Sequence, residues 1–181
     1  MCDFFSMPSP GVSADPDHFP VDWHPHRGMD ILSYIKTGLG RHGDSMGNRE
    51  TFATPGMQWI SCGSGIEHAE GGGTPAGQTN TGFQIWINVP AARKMDDPQY
   101  GTEDAAAIPQ EEVGAGGAQA RLMSGCTSSE GKSSTNWKTK VGGPTALNAR
   151  LSILGCTAPL VHTVWTVSLN KIKRGRLFPE Q

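Results

Sequence analysis

Two short pairs of residues in this chain have the chemistry of metal ligands. His24 and His26 flank Pro25, and His68 and Glu70 flank Ala69. In an extended strand, residues i and i+2 point to the same face, so each pair can direct two ligand atoms at one point. Together the pairs offer three nitrogens and one oxygen, a set suited to a divalent transition metal. An open octahedral site would favour Fe(II), and Mn, Ni, Cu and Zn stay open.

Either pair alone is a weak signal, because a His-x-His motif at the mouth of a strand is commonly a surface or capping feature. The segments between the pairs strengthen the argument, since they are typical of short strands joined by turns. Met29 to Thr37 is rich in branched and aromatic residues and predicts a strand. The run GDSMGN, residues 43–48, predicts a hairpin turn. Further short strands are predicted over residues 50–53, 58–61, 66–70 and 82–89.

The remaining segments predict fewer regular elements. Residues 1–23, 71–80 and 91–118 are rich in small, polar or Pro residues and predict loops. Candidate strands follow over residues 121–124, 150–154 and 161–169. Short strands at this density, with no helical periodicity of comparable clarity, favour an all-β antiparallel barrel or sandwich.

Composition narrows the class of protein. The 181 residues include 24 Gly and 13 Pro, which suits strands joined by many tight turns. A net charge of −2 argues against a broad phosphate-binding surface, so direct binding of nucleic acid is not expected. The four cysteines form no Cys-x-x-Cys pair, and neither a signal peptide nor an apolar run of membrane-spanning length is visible. The sequence therefore predicts a soluble protein of the cytoplasm, the nucleus or both.

Several ordered motifs resemble the pirin family of cupin proteins. The run HPHRGMDILSYIKTG resembles the first cupin signature of that family, and PGMQWISCGSGIEHAE resembles the second. Between them, HGDSMGN fits the family's turn. GFQIWINVP followed by KMDDPQY resembles the strand and loop that close the family's N-terminal barrel. The resemblance runs from about Asp3 to Gly125.

The resemblance implies an all-β fold with a cupin-type antiparallel β-barrel, or jelly-roll. One full barrel is expected, together with a partial or remnant second domain. On this basis residues 1–125 form the N-terminal metal-binding domain, and residues 126–181 form an inter-domain segment and a divergent or truncated remnant of the second domain. The implied cofactor is one non-haem Fe(II), held by His24, His26, His68 and Glu70.

Two functions follow from the resemblance, and the sequence leaves both open. The first is an Fe(II)-dependent quercetin 2,3-dioxygenase that cleaves a flavonol with oxygen, in which Glu70 binds the metal and also takes a substrate proton as general base. The second is a non-enzymatic, iron-dependent redox switch that acts as a transcriptional co-regulator through contacts with a transcription factor. Because the barrel lacks a full partner domain, self-association through an open sheet edge is also expected.

Other polar and aromatic residues have a structural and a functional reading. Asp30 is expected to be structural or to orient an imidazole ligand, and Arg27 is expected to pair with Asp30 or to reach an anionic ligand. His42 precedes the hairpin turn and is expected to be exposed. Gln58 is a candidate hydrogen-bond donor to a bound oxygen or substrate. Three aromatic residues are expected in the core, with a pocket that stacks a flat substrate as the alternative: Trp59, Phe83 and Trp86.

Overall fold

The computed structural model describes residues 1–108, 110–113, 118–124, 151–158 and 161–169. Within these ranges the chain forms thirteen β-strands and one three-residue 3-10 turn, Ala91–Arg93. The described residues divide into two compact units, one of residues 1–108 and one that holds the last four strands. In the part of the chain that the structure describes, no helix is long and apolar enough to cross a membrane.

The first unit consists of two antiparallel sheets. The five-stranded sheet has the order β1 (Cys2–Pro8), β8 (Thr79–Asn88), β3 (Met29–Thr37), β6 (Gly56–Ser61) and β9 (Gln99–Glu103). The four-stranded sheet has the order β2 (Val21–His26), β7 (Ile66–Glu70), β4 (Gly40–Asp44) and β5 (Arg49–Phe52). All paired strands are antiparallel, and the crossed order is that of a jelly-roll rather than a meander.

A hydrophobic cluster joins the two sheets. Ile31 and Ile60 come from neighbouring strands of the larger sheet, Ile66 comes from the smaller sheet, and Cys62 lies between them in the chain. All four side chains are buried. Burying one such aliphatic side chain stabilises a fold by roughly 1.5–3 kcal/mol, so this cluster fixes the sheets face to face.

These features confirm the all-β, cupin-type antiparallel barrel expected from the sequence. The bounds of β3 and β7 are those predicted. The predicted hairpin turn joins β4 to β5, where Gly47 has a φ of 96°, a conformation that glycine adopts without steric cost. The Asp44 carboxylate accepts hydrogen bonds from the backbone N–H groups of Met46 and Asn48, and these bonds close the turn.

All three loop predictions are wrong in part, and residues 71–80 end in the first two residues of β8. Residues 1–23 include β1 and the start of β2, and residues 91–118 include β9 and further strand residues. β1 is an exposed edge strand, so it lacks the alternation of apolar and polar residues that marks a half-buried strand. β9, with the sequence QYGTE, is defined by pairing to β6, about 40 residues earlier in the chain. Local propensity does not report such a pairing.

The second unit is an antiparallel meander of four strands. It contains β10 (Gln110–Val113), β11 (Ala118–Ser124), β12 (Leu151–Ala158) and β13 (Val161–Leu169), which pair in chain order. The candidate strands predicted over 121–124, 150–154 and 161–169 correspond to the last three of these. The division of the chain into domains 1–125 and 126–181 stays a prediction.

Candidate metal centre

Three histidines meet inside the first unit. His24 and His26 lie on β2, and His68 lies opposite His24 in the pairing of β2 with β7. Their ring centroids are 4.4 to 5.0 Å apart. One ring nitrogen of each histidine can be chosen so that all three atoms lie within 4.8 Å of one another. The structure therefore brings together the three imidazoles that the sequence singled out.

The pattern of hydrogen bonds leaves ring nitrogens that could bind a metal ion. His68 is fully buried, and neither of its ring nitrogens has a hydrogen-bond partner. A buried polar atom without a partner is costly, so a metal bound by one nitrogen would remove one of these defects. The Nδ1–H of His24 donates to the carbonyl oxygen of Asp22 at 2.7 Å, which leaves Nε2 as the nitrogen with a free lone pair.

The electrostatics also favour neutral imidazoles, the form that binds metals. Burial, reinforced by the neighbouring His24, lowers the pKa of His68 to about 3. Burial likewise lowers the pKa of His26 below its usual value, with a smaller contribution from His24. Both rings are therefore uncharged near neutral pH and present lone pairs to a cation.

Glu70 lies in the same strand as His68, but two glutamine side chains hold its carboxylate. The Nε2 of Gln58 donates to Oε2 at 2.9 Å, and the Nε2 of Gln84 donates to Oε1 at 2.6 Å. Burial raises the pKa of Glu70, and these two hydrogen bonds and His24 partly offset that effect. Among the described residues, the ligand atoms that lie close enough together to share one metal ion come from the three histidines and not from Glu70. The role of Glu70 as a fourth ligand stays a prediction.

A cavity of about 240 Å³ opens beside Glu70. Its polar residues include Ser33, Gln58, Gln84 and Glu70, and its apolar wall includes Phe5, Ile35 and Phe52. The volume is close to the lower end of the roughly 300–1,000 Å³ typical of ligand pockets. Gln58 was predicted as a candidate hydrogen-bond donor to a substrate. It lines this cavity, and its side-chain amide donates to Glu70.

The aromatic residues considered for the pocket do not line this cavity. Trp86 packs edge-on against His26 with a centroid distance of 5.2 Å, and Phe83 packs against Phe4 at the same distance. Trp59 is half-buried on β6, against Gly101 of the neighbouring strand. All three side chains are half-buried, and of the three Trp86 packs against the core cluster and covers one face of the histidine group.

The expectation that His42 is an exposed turn residue is wrong. His42 is fully buried on β4, and its Nε2 lies 3.0 Å from Oδ2 of Asp44. Its ring stacks on Tyr100 with a centroid distance of 4.0 Å and an interplanar angle of 6°. β4 runs between β5 and β7, so a residue that is close to a turn in sequence lies at the centre of a sheet. The signal that could have found it is the spacing His42-x-Asp44, which matches that of the two ligand pairs.

The charge state of this pair follows from its surroundings. Burial lowers the pKa of His42 against the opposing effect of Asp44. For Asp44, burial acts to raise the pKa, but hydrogen bonds from Asn48 and His42 outweigh it and lower the pKa below its usual value. The pair is therefore a neutral imidazole beside a carboxylate.

Asp30 and Arg27 have structural contacts. Asp30 is fully buried on β3, and its Oδ1 accepts a hydrogen bond from the Ser61 hydroxyl at 2.7 Å. This contact joins β3 to β6, in line with the structural reading. Arg27 is exposed, and its Nη2 lies 3.3 Å from the sulfur of Met95.

A jelly-roll with three histidines directed into its interior defines the cupin class. Within that class, residues 1–87 match the Pirin family model. A pirin-like protein from Caulobacter vibrioides is 38% identical over 104 residues, covering 58% of this chain and 37% of that protein. Pirin-1 from Arabidopsis thaliana is 34% identical over 102 residues, covering 56% of this chain and 34% of that protein. Residues 1–87 of this chain therefore belong to the pirin family.

Two further comparisons concern the fold and the names of relatives. A quercetin 2,3-dioxygenase structure from Acinetobacter baumannii has a TM-score of 0.66 at 21% identity and covers 86% of this chain and 50% of its own, which shows the shared fold. A candidate quercetin 2,3-dioxygenase from Thermoplasma acidophilum is 39% identical over 108 residues, covering 54% of this chain and 41% of that protein. The chain thus spans about 34–41% of the length of these curated relatives.

Proposed function

We propose that this chain binds one divalent transition metal, Fe(II) in the cell, and uses it to oxidise a flavonol such as quercetin with oxygen. His24, His26 and His68 would hold the metal, with Glu70 as the fourth ligand. The observation that carries the proposal is the buried His68 ring with two unpartnered nitrogens beside two further imidazoles. When bound, the metal would supply Lewis acidity and a site for oxygen.

The residues around Glu70 support an enzyme more than a closed switch. A cavity beside Glu70 provides both apolar wall and hydrogen-bonding groups, the combination expected of a small-molecule site. Gln58 and Gln84 each donate to a different oxygen of Glu70, so the carboxylate is held in one orientation at the cavity wall. A carboxylate held in this way is placed to accept a proton from a substrate hydroxyl. The names of relatives in other organisms suggest the flavonol.

The experiment measures metal content first and oxygen chemistry second. Wild-type protein expressed with iron under reducing conditions should contain about one metal per chain by elemental analysis. His68→Ala should lose most of it, because removing a ligand costs more than the 10–100-fold expected for loss of an outer contact. His18→Ala is the matched control, because the exposed His18 lies outside the ligand group. A folded wild-type protein without metal would refute the proposal.

Oxygen uptake then tests the reaction. Quercetin should be consumed with oxygen by the metal-loaded wild type, and Glu70→Gln should slow turnover more than it weakens metal binding if the carboxylate also serves as the base. Equal losses of binding and turnover would leave Glu70 as a ligand alone. A well-folded, metal-loaded protein that consumes no oxygen with quercetin would instead support the iron-dependent redox switch that contacts a transcription factor.

A further inference from the structure

His42 is a buried polar residue next to the histidine group, and the proposed reaction does not use it. It lies on β4, the strand beside β7, where Asp44 is opposite His68 and His42 is opposite Glu70. Its ring centroid is 5.6 Å from that of His68, and the planes are tilted by 47°. The two rings are therefore adjacent without being stacked.

The hydrogen bonds of Asp44 fix which nitrogen of His42 carries the proton. Asp44 accepts from the backbone N–H groups of Met46 and Asn48, and from the side-chain amide of Asn48 at 2.7 Å. A side chain that accepts from so many donors is a carboxylate, which only accepts. The Nε2 of His42 must therefore donate to it, at 3.0 Å. In a neutral imidazole, Nδ1 is then left with a lone pair.

That lone pair has no donor in the described structure, and His68 has no acceptor. The Nδ1 of His42 and both ring nitrogens of His68 are buried without partners. A histidine bound to a metal through one nitrogen carries N–H on the other and normally donates it to a neighbouring acceptor. A centroid distance of 5.6 Å accommodates the two ring radii and one N–H···N hydrogen bond of about 3 Å.

His42 is also rigid enough to orient a neighbour. Tyr100 stacks on one face of its ring, and the Tyr100 hydroxyl lies 3.3 Å from Oε2 of Glu50. Asp44 fixes the rotation of the ring through Nε2, and the hairpin turn fixes Asp44. The position of the His42 lone pair is thus set by groups outside the ligand set.

We propose that His42 is a positioning residue for His68: its Nδ1 accepts the free N–H of the metal-bound His68 while its Nε2–H donates to Asp44. The resulting chain of contacts runs from Asp44 through His42 and His68 to the metal. It fixes the tautomer and the ring orientation of His68. This inference rests on the proposed metal site.

The first test uses Zn(II), which has no redox chemistry, and measures affinity by competition with a chelator. His42→Phe keeps a ring against Tyr100 but removes both nitrogens, and should weaken Zn(II) binding about 10–100-fold. His18→Phe makes the same change at an exposed histidine outside the ligand group and should bind Zn(II) as the wild type does. His68→Ala should bind far more weakly than His42→Phe. An affinity unchanged in a folded His42→Phe would overturn the role of His42.

The second test needs no variant and also separates this role from direct ligation. In ¹⁵N-labelled, Zn(II)-loaded wild type, ring NMR spectra should show His42 protonated at Nε2 alone and His68 protonated at its one unligated nitrogen. Protonation of His42 at Nδ1, or a zinc-bound His42 nitrogen, would contradict the proposal. Wild type that binds no Zn(II) would instead remove the metal site itself, so the two failures are distinguishable.

Discussion

At the scale of single residues, the site depends on which polar atoms receive a partner within the protein. The carboxylate of Glu70 has two amide donors, whereas both nitrogens of His68 have none. A protein interior normally satisfies its polar atoms, so the Glu70 carboxylate is already oriented by the fold, whereas a bound metal would give one nitrogen of His68 its partner. The metal site and its supporting contacts follow from that distinction.

The support of Glu70 by Gln84 can be measured as stability. Gln84→Leu removes the donor to Oε1 of Glu70 and also the acceptor of the Trp86 Nε1–H, which lies 2.8 Å away. Two partly buried polar groups lose a partner, so the free energy of unfolding of the metal-free protein should fall by about 1–3 kcal/mol. Urea unfolding followed by tryptophan fluorescence would measure it. Gln78→Leu, the same change at an exposed position, should stay within about 0.5 kcal/mol of wild type.

The thiols provide a second test at this scale. Cys62 is fully buried in the core cluster, and burial raises its pKa to about 12. Because the thiolate is the reactive form, iodoacetamide near neutral pH should leave Cys62 unmodified in the native protein while it labels the exposed Cys2. Peptide mass spectrometry would measure both sites, with guanidinium-unfolded protein as the control in which both react. Rapid native labelling of Cys62 would contradict its place in the core.

At the scale of strands, the close approach of β3 and β8 determines where the cavity wall lies. Gly82 of β8 pairs with Ile35 of β3, and both Gln84 and Ser33 project from the same pair of strands. A Cβ built on Gly82 would collide with the carbonyl oxygen of Tyr34 and with the ring of Phe5. Backbone cannot move aside as a flexible side chain does, so this glycine permits the two strands to approach.

Gly82→Ala should therefore loosen the larger sheet. We expect a loss of about 1–3 kcal/mol in the free energy of unfolding, the usual cost of overpacking a tight site. Metal affinity should change little, because the three histidines lie on β2 and β7 of the other sheet. Thr79→Ala, at an exposed position of the same strand, is the control and should unfold like the wild type. Equal stability of both variants would show that β8 shifts freely.

At the scale of the whole molecule, we expect the edges of the sheets to determine whether the chain self-associates. β1 forms one edge of the five-stranded sheet among the described strands, and it presents Phe4, which is 59% exposed. An exposed apolar edge strand offers unpaired backbone groups and hydrophobic surface to another chain. The self-association expected from the sequence would use this strand.

A charge placed on β1 tests that expectation. Phe4→Lys should shift the protein towards monomer, because lysine on an edge strand opposes pairing with a second chain. Size-exclusion chromatography with light scattering, over a range of protein concentrations, would measure the shift. Val12→Lys adds the same charge at an exposed position outside the strands and should leave association unchanged. A wild type that is monomeric at all concentrations would refute the expectation.

Much of the barrel could be predicted because its strands are marked locally. Met29 to Thr37 and Ile66 to Glu70 were predicted with the bounds that they have, since branched residues and flanking turns report a strand within a few residues. The spacings likewise predicted that the three histidines converge, because alternate residues of a strand share a face. Their role as ligands, and that of Glu70, stays a prediction. Family resemblance then supplied the order of the motifs.

Only the tertiary structure decided the rest, because it depends on contacts between distant strands. The polar segment of β9 is a strand because it pairs with β6. His42 is buried beside His68 because β4 lies between two neighbouring strands. The hydrogen bonds from Gln58 and Gln84 to Glu70 form only when three strands from two sheets bring these side chains together. A sequence specifies each of these residues, but the distance between residues far apart in the chain is set only when the sheets pack.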